Sequence, residues 1–491
     1  MKKHQFMRML SLMLAAILCL GVVAPAGAAA PTGGTQLEVT PVDNRAVSAQ
    51  IAQNVFSQPE EEPPYLPTDL VRVSILLDEK STLEAGYPTG DVAENTAAMS
   101  YRQKLARRQD GMAAAISAKA LDGEPLDVVW NLTLAANLIS ANVPYGKIEA
   151  IRKLAGVRDV ILETRYAPCV VDQEEVADPN IATSSYMIGS HNAWAAGYTG
   201  VGSRIAVIDT GIDTDHQSFD AAAFAYSLEQ QKAQPALLDE VEISQKLSKL
   251  NIAGLGYSAK DLYVSSKIAF GFNYVDENLD ITHDNDDQGE HGSHVEGIAA
   301  ANAYIPKGNG AFAPALETVK VQGVAPDAQI IAMKVFGTDG GAYDSDYMAA
   351  IEDAIVLGAD AINLSLGSAM AGSSRHSNGA YQSILDQVVD SDTVLVISAG
   401  NAGGWADQTQ SGYLYHDGVN LDTLGSPGSY TNSLAIASVD NAGFTGTYFQ
   451  VDQRMFSYTE TSGYANKPLA SIAGAYEYIF IDGFGTCLLY T

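Results

Sequence analysis

Cysteine is scarce in this chain, which carries only Cys19, Cys169 and Cys487 in 491 residues. Cys19 lies in an N-terminal apolar segment that we expect to be removed, and two distant cysteines do not make a disulfide framework. The chain therefore depends on a large hydrophobic core rather than on cross-links.

Basic residues are also few, with 28 Lys and Arg against 58 Asp and Glu and a formal net charge of −30. From Thr183 onward the imbalance is steeper, 36 acidic against 12 basic residues. A field of this sign makes nucleic acid and anionic membrane surfaces poor partners. The acidity favours solubility outside the cell.

The apolar run from Met9 to Val23 is shorter than the roughly 20 residues that a membrane-spanning helix needs. Lys2, Lys3 and Arg8 precede the run, and Ala26-Gly27-Ala28 follows it with small residues suited to cleavage. This pattern predicts a secretory signal peptide at residues 1–28, with a retained anchor as the less favoured alternative. We therefore expect a secreted or cell-surface protein with no membrane span in its mature chain.

The segment before the main domain divides into two linkers and a small domain between them. Residues 29–66 are rich in Pro, Thr, Gln and Glu and predict a linker. Periodicity then predicts a small α+β domain at 67–166, followed by a polar, acidic linker at 167–186. Its expected strands and helices are strand 71–77, helix 96–120, strands 128–137 and 138–143, helix 146–154 and strand 157–163.

Residues 187–445 alternate between short apolar strands and longer helical patterns. The expected strands are 204–208, 329–335, 361–366, 393–398 and 434–439, and helices include 344–357 and 379–389. This order predicts an α/β domain with a parallel sheet and helices on both faces. Functional side chains then belong at the C-terminal ends of the strands.

Two polar residues, Asp209 and Asn401, stand at such positions, and His291 opens an Ala-rich segment between them. Asp209 ends the run Ile205-Ala206-Val207-Ile208, His291 begins His-Gly-Ser-His-Val-Glu-Gly, and Asn401 follows Ser398-Ala399-Gly400. Taken singly, Asp209 could cap a turn and Asn401 could form one. Together, in this order and in these motifs, they resemble the subtilisin-like serine proteases.

The resemblance implies a role for each residue. Asp209 would orient His291, His291 would act as the general base, and Asn401 would donate to the oxyanion of the tetrahedral intermediate. Two walls, Ser365-Leu366-Gly367 and Gly340-Gly341, would bind an extended polypeptide substrate through its backbone. His294 is expected to pack within its helix, while Glu296 replaces the family's usual small residue.

The family's nucleophilic serine motif does not occur in this sequence. Ser426 to Tyr430 reads as a turn, and Cys487 is followed by Leu488-Leu489 rather than by small residues that open a helix. The region most resembles the cell-envelope proteinase branch, in which a protease-associated domain interrupts the core before the serine. Residues 446–491, with a strand at 476–485, would begin that insertion, and we expect the serine-bearing segment to be missing from the chain.

The domain at 67–166 resembles the inhibitory propeptide of the same family, most clearly from Ile148 to Val160. Such a propeptide templates folding and places its C-terminal tail in the cleft, so the chain's own propeptide is an expected partner. An unrelated α+β domain is the alternative. Basic residues of this domain are expected to complement the acidic core: Lys104, Arg107, Arg108, Lys147, Arg152 and Lys153.

No cofactor or metal is expected. Asp284, Asp286 and Gly289 match the start of an EF-hand loop, but its twelfth position is Val295, so the loop reads as a solvated connection to His291. In the family's tight calcium site an aspartate stands where this chain has Ser218. We therefore expect no tight calcium there.

Two functions remain open on the sequence. The first is a secreted serine endopeptidase whose nucleophile lies outside this chain. The second is a secreted, non-catalytic subtilisin-like protein that binds peptides or another protease. A downstream serine motif in the reading frame would separate them.

Overall fold

The computed structural model describes residues 65–90, 92–168, 181–284, 289–338, 340–367, 375–389, 392–400, 427–430, 434–439, 448–451 and 454–457. The expected signal peptide and residues 29–64 of the expected first linker lie outside these ranges, as does the expected strand at 476–485.

The first domain, called here the N-terminal domain, spans residues 65–163. It contains in chain order β1 (Leu70–Leu77), α1 (Thr96–Lys119), β2 (Asp127–Leu132), β3 (Leu138–Pro144), α2 (Ile148–Arg152) and β4 (Val157–Leu162). Its four strands form an antiparallel sheet in the order β2-β3-β1-β4. Helix α1 begins where the Asn95 side chain accepts from the amides of Ala97 and Ala98, a standard N-cap.

Both faces of this sheet are covered. Val73 and Ile75 pack with Ile116 of α1, whereas Leu76 joins the core that continues into the following domain. Successive residues of a strand point to opposite faces, so β1 contributes to two hydrophobic clusters at once. The N-terminal domain therefore packs against the rest of the protein through its sheet.

The remaining elements follow in chain order. They are β5 (Arg165–Pro168), α3 (Ile181–Met187), α4 (Ser190–Ala195), β6 (Arg204–Asp209), α5 (Ala221–Gln230), α6 (Glu240–Lys246), α7 (Ala259–Leu262), β7 (Ile268–Asn273), α8 (His291–Ala300), β8 (Tyr304–Gly308), β9 (Ala311–Pro314), α9 (Ala315–Thr318), β10 (Gln329–Lys334), β11 (Ala342–Tyr343), α10 (Asp344–Leu357), β12 (Ala361–Leu364), β13 (Leu366–Gly367), α11 (Arg375–Val389), β14 (Val394–Ser398), β15 (Leu434–Ile436), β16 (Tyr448–Val451) and β17 (Arg454–Ser457).

Six of these strands form a parallel sheet in the order β15-β14-β12-β6-β10-β7. On β10, Ile331 and Met333 join one buried cluster, whereas Ile330 and Ala332 join another that includes Ala300 of α8. A parallel sheet buried on both faces confirms the predicted α/β fold class.

Several predicted elements differ from the observed ones. Strand 128–137 ends at Leu132, because residues 133–136 turn to donate their amides to Glu352. Helices α5 and α6 are separated by a break that contains Pro235, and Asp239 caps the second helix. Strand 361–366 divides at Ser365 into β12 and β13, and β7 was not predicted.

None of the described helices is long and apolar enough to cross a membrane.

Candidate active site

Asp209 and His291 lie side by side at the C-terminal edge of the parallel sheet. Asp209 is the last residue of β6 and is almost fully buried, while His291 is the first residue of α8. The Nδ1 atom of His291 lies 2.7 Å from Oδ1 of Asp209, which also accepts from the amide of Thr210 at 2.7 Å. This bond fixes the imidazole tautomer with its proton on Nδ1 and leaves the lone pair on Nε2.

Two glycines let the strand end and the helix approach each other. A Cβ on Gly211, whose φ is +111°, would lie 2.3 Å from the carbonyl oxygen of Ile281. A Cβ on Gly292 would lie 2.1 Å from the carbonyl oxygen of Gly211. The Gly292 amide donates to Oγ1 of Thr210 at 2.8 Å, which ties α8 to the turn after β6. Close backbone contact therefore sets the distance between Asp209 and His291.

Glu296, which replaces the family's usual small residue, is almost fully buried on α8. Among the described residues, its Oε2 has no hydrogen-bond partner, and neither does Oδ2 of Asp209. Burial, and then the charge of Asp209, raise the pKa of Glu296 well above its usual value. A neutral acid therefore lies in the same helix as His291. His294, expected to pack, is exposed.

The two predicted walls of the cleft lie on either side of β5. Ala342 and Tyr343 of β11 pair antiparallel with Tyr166 and Arg165, while Leu366 and Gly367 of β13 pair antiparallel with Pro168 and Ala167. The three strands make a small sheet in the order β11-β5-β13. An extended strand of the chain itself, β5, therefore lies between the two predicted walls.

The other predicted wall residues lie at the ends of these strands. Gly340 accepts a hydrogen bond from the guanidinium of Arg165, and Gly341 lies so close to that side chain that a Cβ would contact it at 2.4 Å. Ser365, between β12 and β13, accepts from the side chain of Asn363 at 2.9 Å. Asn401 falls outside the described residues, but β14 ends at Ser398 along the same edge as β12.

The carboxylates of the buried helix α10 bind the N-terminal domain, and the sequence analysis did not identify this role. Every residue of α10 is buried. The Glu352 carboxylate accepts from the amides of Leu134 at 2.9 Å and Ala135 at 2.7 Å, and it lies 3.5 Å from the guanidinium of Arg102. Acidic residues within a buried helix could have predicted these contacts, because a buried charge requires partners.

The first turn of α10 makes similar contacts with the N-terminal domain. Asp346 accepts from the indole of Trp130 at 2.9 Å and from Arg72 at 3.1 Å. Ser345 donates through its amide and hydroxyl to Glu163 at 3.2 and 2.8 Å. The N-terminal domain is therefore held on α10 by hydrogen bonds as well as by apolar packing.

The basic residues predicted to face the core mostly pair elsewhere. Lys104 and Arg108 contact Glu79, and Lys147 contacts Asp122, all inside the N-terminal domain. Arg152 likewise contacts Glu149 and Asp159. These four residues therefore make these ion pairs within the N-terminal domain, and their charge complementarity to the acidic core stays a prediction.

Metal ligands do not cluster in the part of the chain that the structure describes: no three His, Cys, Asp or Glu residues come together there as a cation site. Asp284 and Gly289 belong to that part, whereas Asp286 does not. The expected lack of a tight calcium site at Ser218 stays a prediction.

Known proteins that are similar to this chain are named as proteinases, proteases or peptidases. A PII-type proteinase of Lacticaseibacillus paracasei is 29% identical over 416 residues, covering 81% of this chain and 19% of that protein. The minor extracellular protease Vpr of Bacillus subtilis is 27% identical over 276 residues, covering 55% of this chain and 24% of Vpr. A C5a peptidase of Streptococcus pyogenes is 24% identical over 371 residues, covering 75% and 27%. The chain spans about a fifth of the first relative's length.

A family model described as the subtilase family matches residues 200–479. The match covers more than half of the chain and includes Asp209, His291 and both walls of the cleft. Together with the parallel sheet and the position of the Asp209–His291 pair, it shows that the chain belongs to the subtilase family.

Proposed function

We propose that the complete protein is a secreted serine endopeptidase in which Asp209 and His291 act with a serine supplied from outside residues 1–491. The carrying observation is the 2.7 Å contact between Asp209 and the Nδ1 atom of His291, at the edge of a cleft that holds an extended strand. The proteinase names of the relatives support the same reaction class.

The chemistry follows from that contact. Nε2 of His291 takes the proton of the serine hydroxyl as the oxygen attacks the scissile carbonyl, and Asp209 stabilises the imidazolium that forms. The same proton then passes to the leaving amine as the C–N bond breaks, and a water that gives its proton to His291 hydrolyses the acyl-enzyme and restores the serine. Asn401 is the proposed donor to the oxyanion. Antiparallel pairing with β11 and β13 would hold the substrate backbone in place.

The test is hydrolysis of casein or of fluorogenic peptides by the protein expressed from its complete reading frame. His291→Ala should lower kcat by about 10⁴- to 10⁶-fold, and Asp209→Asn by about 10⁴-fold. Fluorophosphonate labelling should map to a serine outside residues 1–491. Peptide binding without hydrolysis or labelling would instead support the non-catalytic alternative.

We further propose that residues 67–166 are an inhibitory propeptide, with 167–186 as the processing linker. The support is the position of β5 between β11 and β13, together with the contacts of the preceding sheet to α10. The processed protein should retain this domain non-covalently and gain activity when it leaves. A peptidase that is fully active while the domain stays bound would contradict the assignment.

A further inference from the structure

Glu296 lies on the face of α8 that packs against the parallel sheet. The buried residues of this helix, Gly292, Glu296 and Ala300, recur at every fourth position and so share one face. Gly292 contacts Gly211 in the turn after β6, and Ala300 joins the apolar cluster that includes residues of β10. Glu296, at 1% exposure, is therefore held between the turn that follows Asp209 and the hydrophobic core.

The side chain of Glu296 leans toward that turn. In an α-helix each Cα–Cβ bond tilts toward the N-terminus, so a residue covers the turn of helix that precedes it. For Glu296 the preceding turn begins at Gly292, next to His291. The charge of Asp209 acts on the Glu296 carboxyl group, which agrees with this direction. The two carboxyl groups are therefore neighbours at the end of β6.

Asp209 bonds to the described residues through one of its two carboxylate oxygens. Oδ1 accepts from Nδ1 of His291 and from the amide of Thr210, both at 2.7 Å. Oδ2 is buried and has no hydrogen-bond partner among the described residues, and the same holds for Oε2 of Glu296. A buried carboxylate oxygen without a donor is costly, so a donor beside Asp209 would stabilise its ionised form.

Glu296 can be that donor because it is neutral. Burial, and then the charge of Asp209, raise the pKa of Glu296 well above its usual value, so it holds a proton where an exposed glutamate has lost it. A protonated carboxyl group carries one O–H donor, whereas an ionised one only accepts. The acid on α8 therefore complements the carboxylate on β6.

We propose that Glu296 is a positioning residue of the catalytic pair, donating a hydrogen bond through its neutral carboxyl group to Oδ2 of Asp209. The bond forms directly, by a turn of the Glu296 carboxyl about its last torsion, or through one water between the two oxygens. It holds the carboxylate in one rotation, with Oδ1 directed to Nδ1 of His291. The proposal rests on the endopeptidase function above, since the geometry of Asp209 and His291 sets a rate only there.

The experiment compares Glu296→Met with Glu296→Gln in the processed protein from the complete reading frame at pH 7. Both keep the length of the side chain, but only glutamine keeps a donor. Glu296→Met should lower kcat by about 10-fold or more, because a hydrogen bond to a charged group is lost. KM should stay unchanged, since Glu296 acts through Asp209 and not on the substrate. Glu296→Gln should restore most of the loss in kcat.

Thermal melts separate this role from a purely structural one. Glu296→Met removes a buried acid, so its melting temperature should match or exceed that of the wild type. A loss of kcat without a loss of stability then reports on the orientation of Asp209. Equal kcat for Glu296→Met and wild type, or an equal loss in both variants, overturns the proposal and leaves the peptidase function standing. If the complete protein hydrolyses no peptide, the function and the role of Glu296 in it both fall.

A second measurement needs no hydrolysis and no methionine variant. In the chain of residues 1–491 at pH 7, the infrared difference between wild type and Glu296→Gln should contain the C=O stretch of a protonated carboxylic acid. Asp209→Ala, which removes the acceptor, should shift this band to higher frequency. Absence of the band, or a band that Asp209→Ala does not move, overturns the hydrogen bond even if Glu296→Met fails to fold.

Discussion

Lys334 stands directly opposite Asp209 in the parallel register of β10 and β6, and its buried ammonium group donates to the carbonyl oxygen of Thr210. The same pair of strands is joined by the amide of Val335, which donates to the carbonyl oxygen of Asp209 at 2.9 Å. The turn that follows Asp209 is therefore fixed from the neighbouring strand as well as from α8.

Replacing Lys334 by Met should destabilise this turn, because the Thr210 carbonyl loses its buried donor. We expect a loss of about 1–3 kcal/mol in the free energy of unfolding, measured by urea denaturation. Lys260→Met, on the exposed surface of α7, is the matched control and should change little. Equal midpoints for the two variants would show that the Lys334 contact contributes nothing.

Glu296→Gln should change how stability depends on pH. Because the folded-state pKa of Glu296 is raised, the folded protein keeps a proton that the unfolded chain releases above about pH 4.3. Stability from this group is full below that pH and is lost as the pH rises towards the folded pKa, by up to about 1.4 kcal/mol per pH unit.

The melting temperature of Glu296→Gln should therefore exceed that of the wild type by a margin that grows from pH 5 to pH 8 and vanishes near pH 4. Glu290→Gln, just before the same helix and exposed, controls for loss of a charge. A constant margin across this range would refute burial of a protonated Glu296.

Gly292→Ala should separate α8 from the turn after β6, since its Cβ would lie 2.1 Å from the Gly211 carbonyl oxygen. Overpacking of this kind costs about 1–3 kcal/mol, and a displacement of His291 by about 1 Å would lower kcat about 100-fold. Gly297→Ala, on the same helix with no atom within 4 Å of the new Cβ, should instead gain about 0.5–1 kcal/mol. Thermal melts and peptide turnover of both variants measure the contrast.

Retention of the N-terminal domain should weaken as the pH rises. Burial raises the pKa of Asp346 to about 7, against the opposing charge of Arg72, with Glu163 adding to the rise. In a separated core this carboxyl would regain water and a lower pKa, so association takes up a proton. The bound state is favoured most at acid pH and loses that advantage as the pH approaches 7.

The measurement is the dissociation rate of the processed N-terminal domain at pH 5 and at pH 8, followed by gel filtration. Asp346→Asn should reduce the difference but not abolish it, because burial, and then the charge of Glu163, also raise the pKa of Asp344 to about 7. Salt should have a small effect, because the contacts of Arg72 with Asp346 and of Arg102 with Glu352 are largely buried and poorly screened. A rate that is faster at pH 5 would contradict the proton uptake.

Short sequence patterns predicted those helices and strands that are determined by residues within the same segment. Helix 344–357 was predicted with its observed bounds, since a long apolar-rich pattern ends at Gly358, which takes a left-handed φ of +81°. Asp209 was expected at the C-terminal end of a strand in a parallel sheet, and it is the last residue of β6 in that sheet.

Contacts between distant segments explain what the sequence missed. The strand predicted at 128–137 is longer than the observed one. The residues after Leu132 donate their amides to Glu352, which lies 216 or more residues away in the sequence. The burial of Glu296 depends on packing of α8 against β6 and β10, which no window of sequence contains.

Strand β5 also has a consequence for the fate of the newly made chain. Both β11 and β13 are short strands whose backbone donors and acceptors would face outward if β5 were absent. Unpaired strand edges invite pairing with other chains and aggregation. By covering two such edges with four of its own residues, the chain pairs these backbone groups within itself before another chain can reach them.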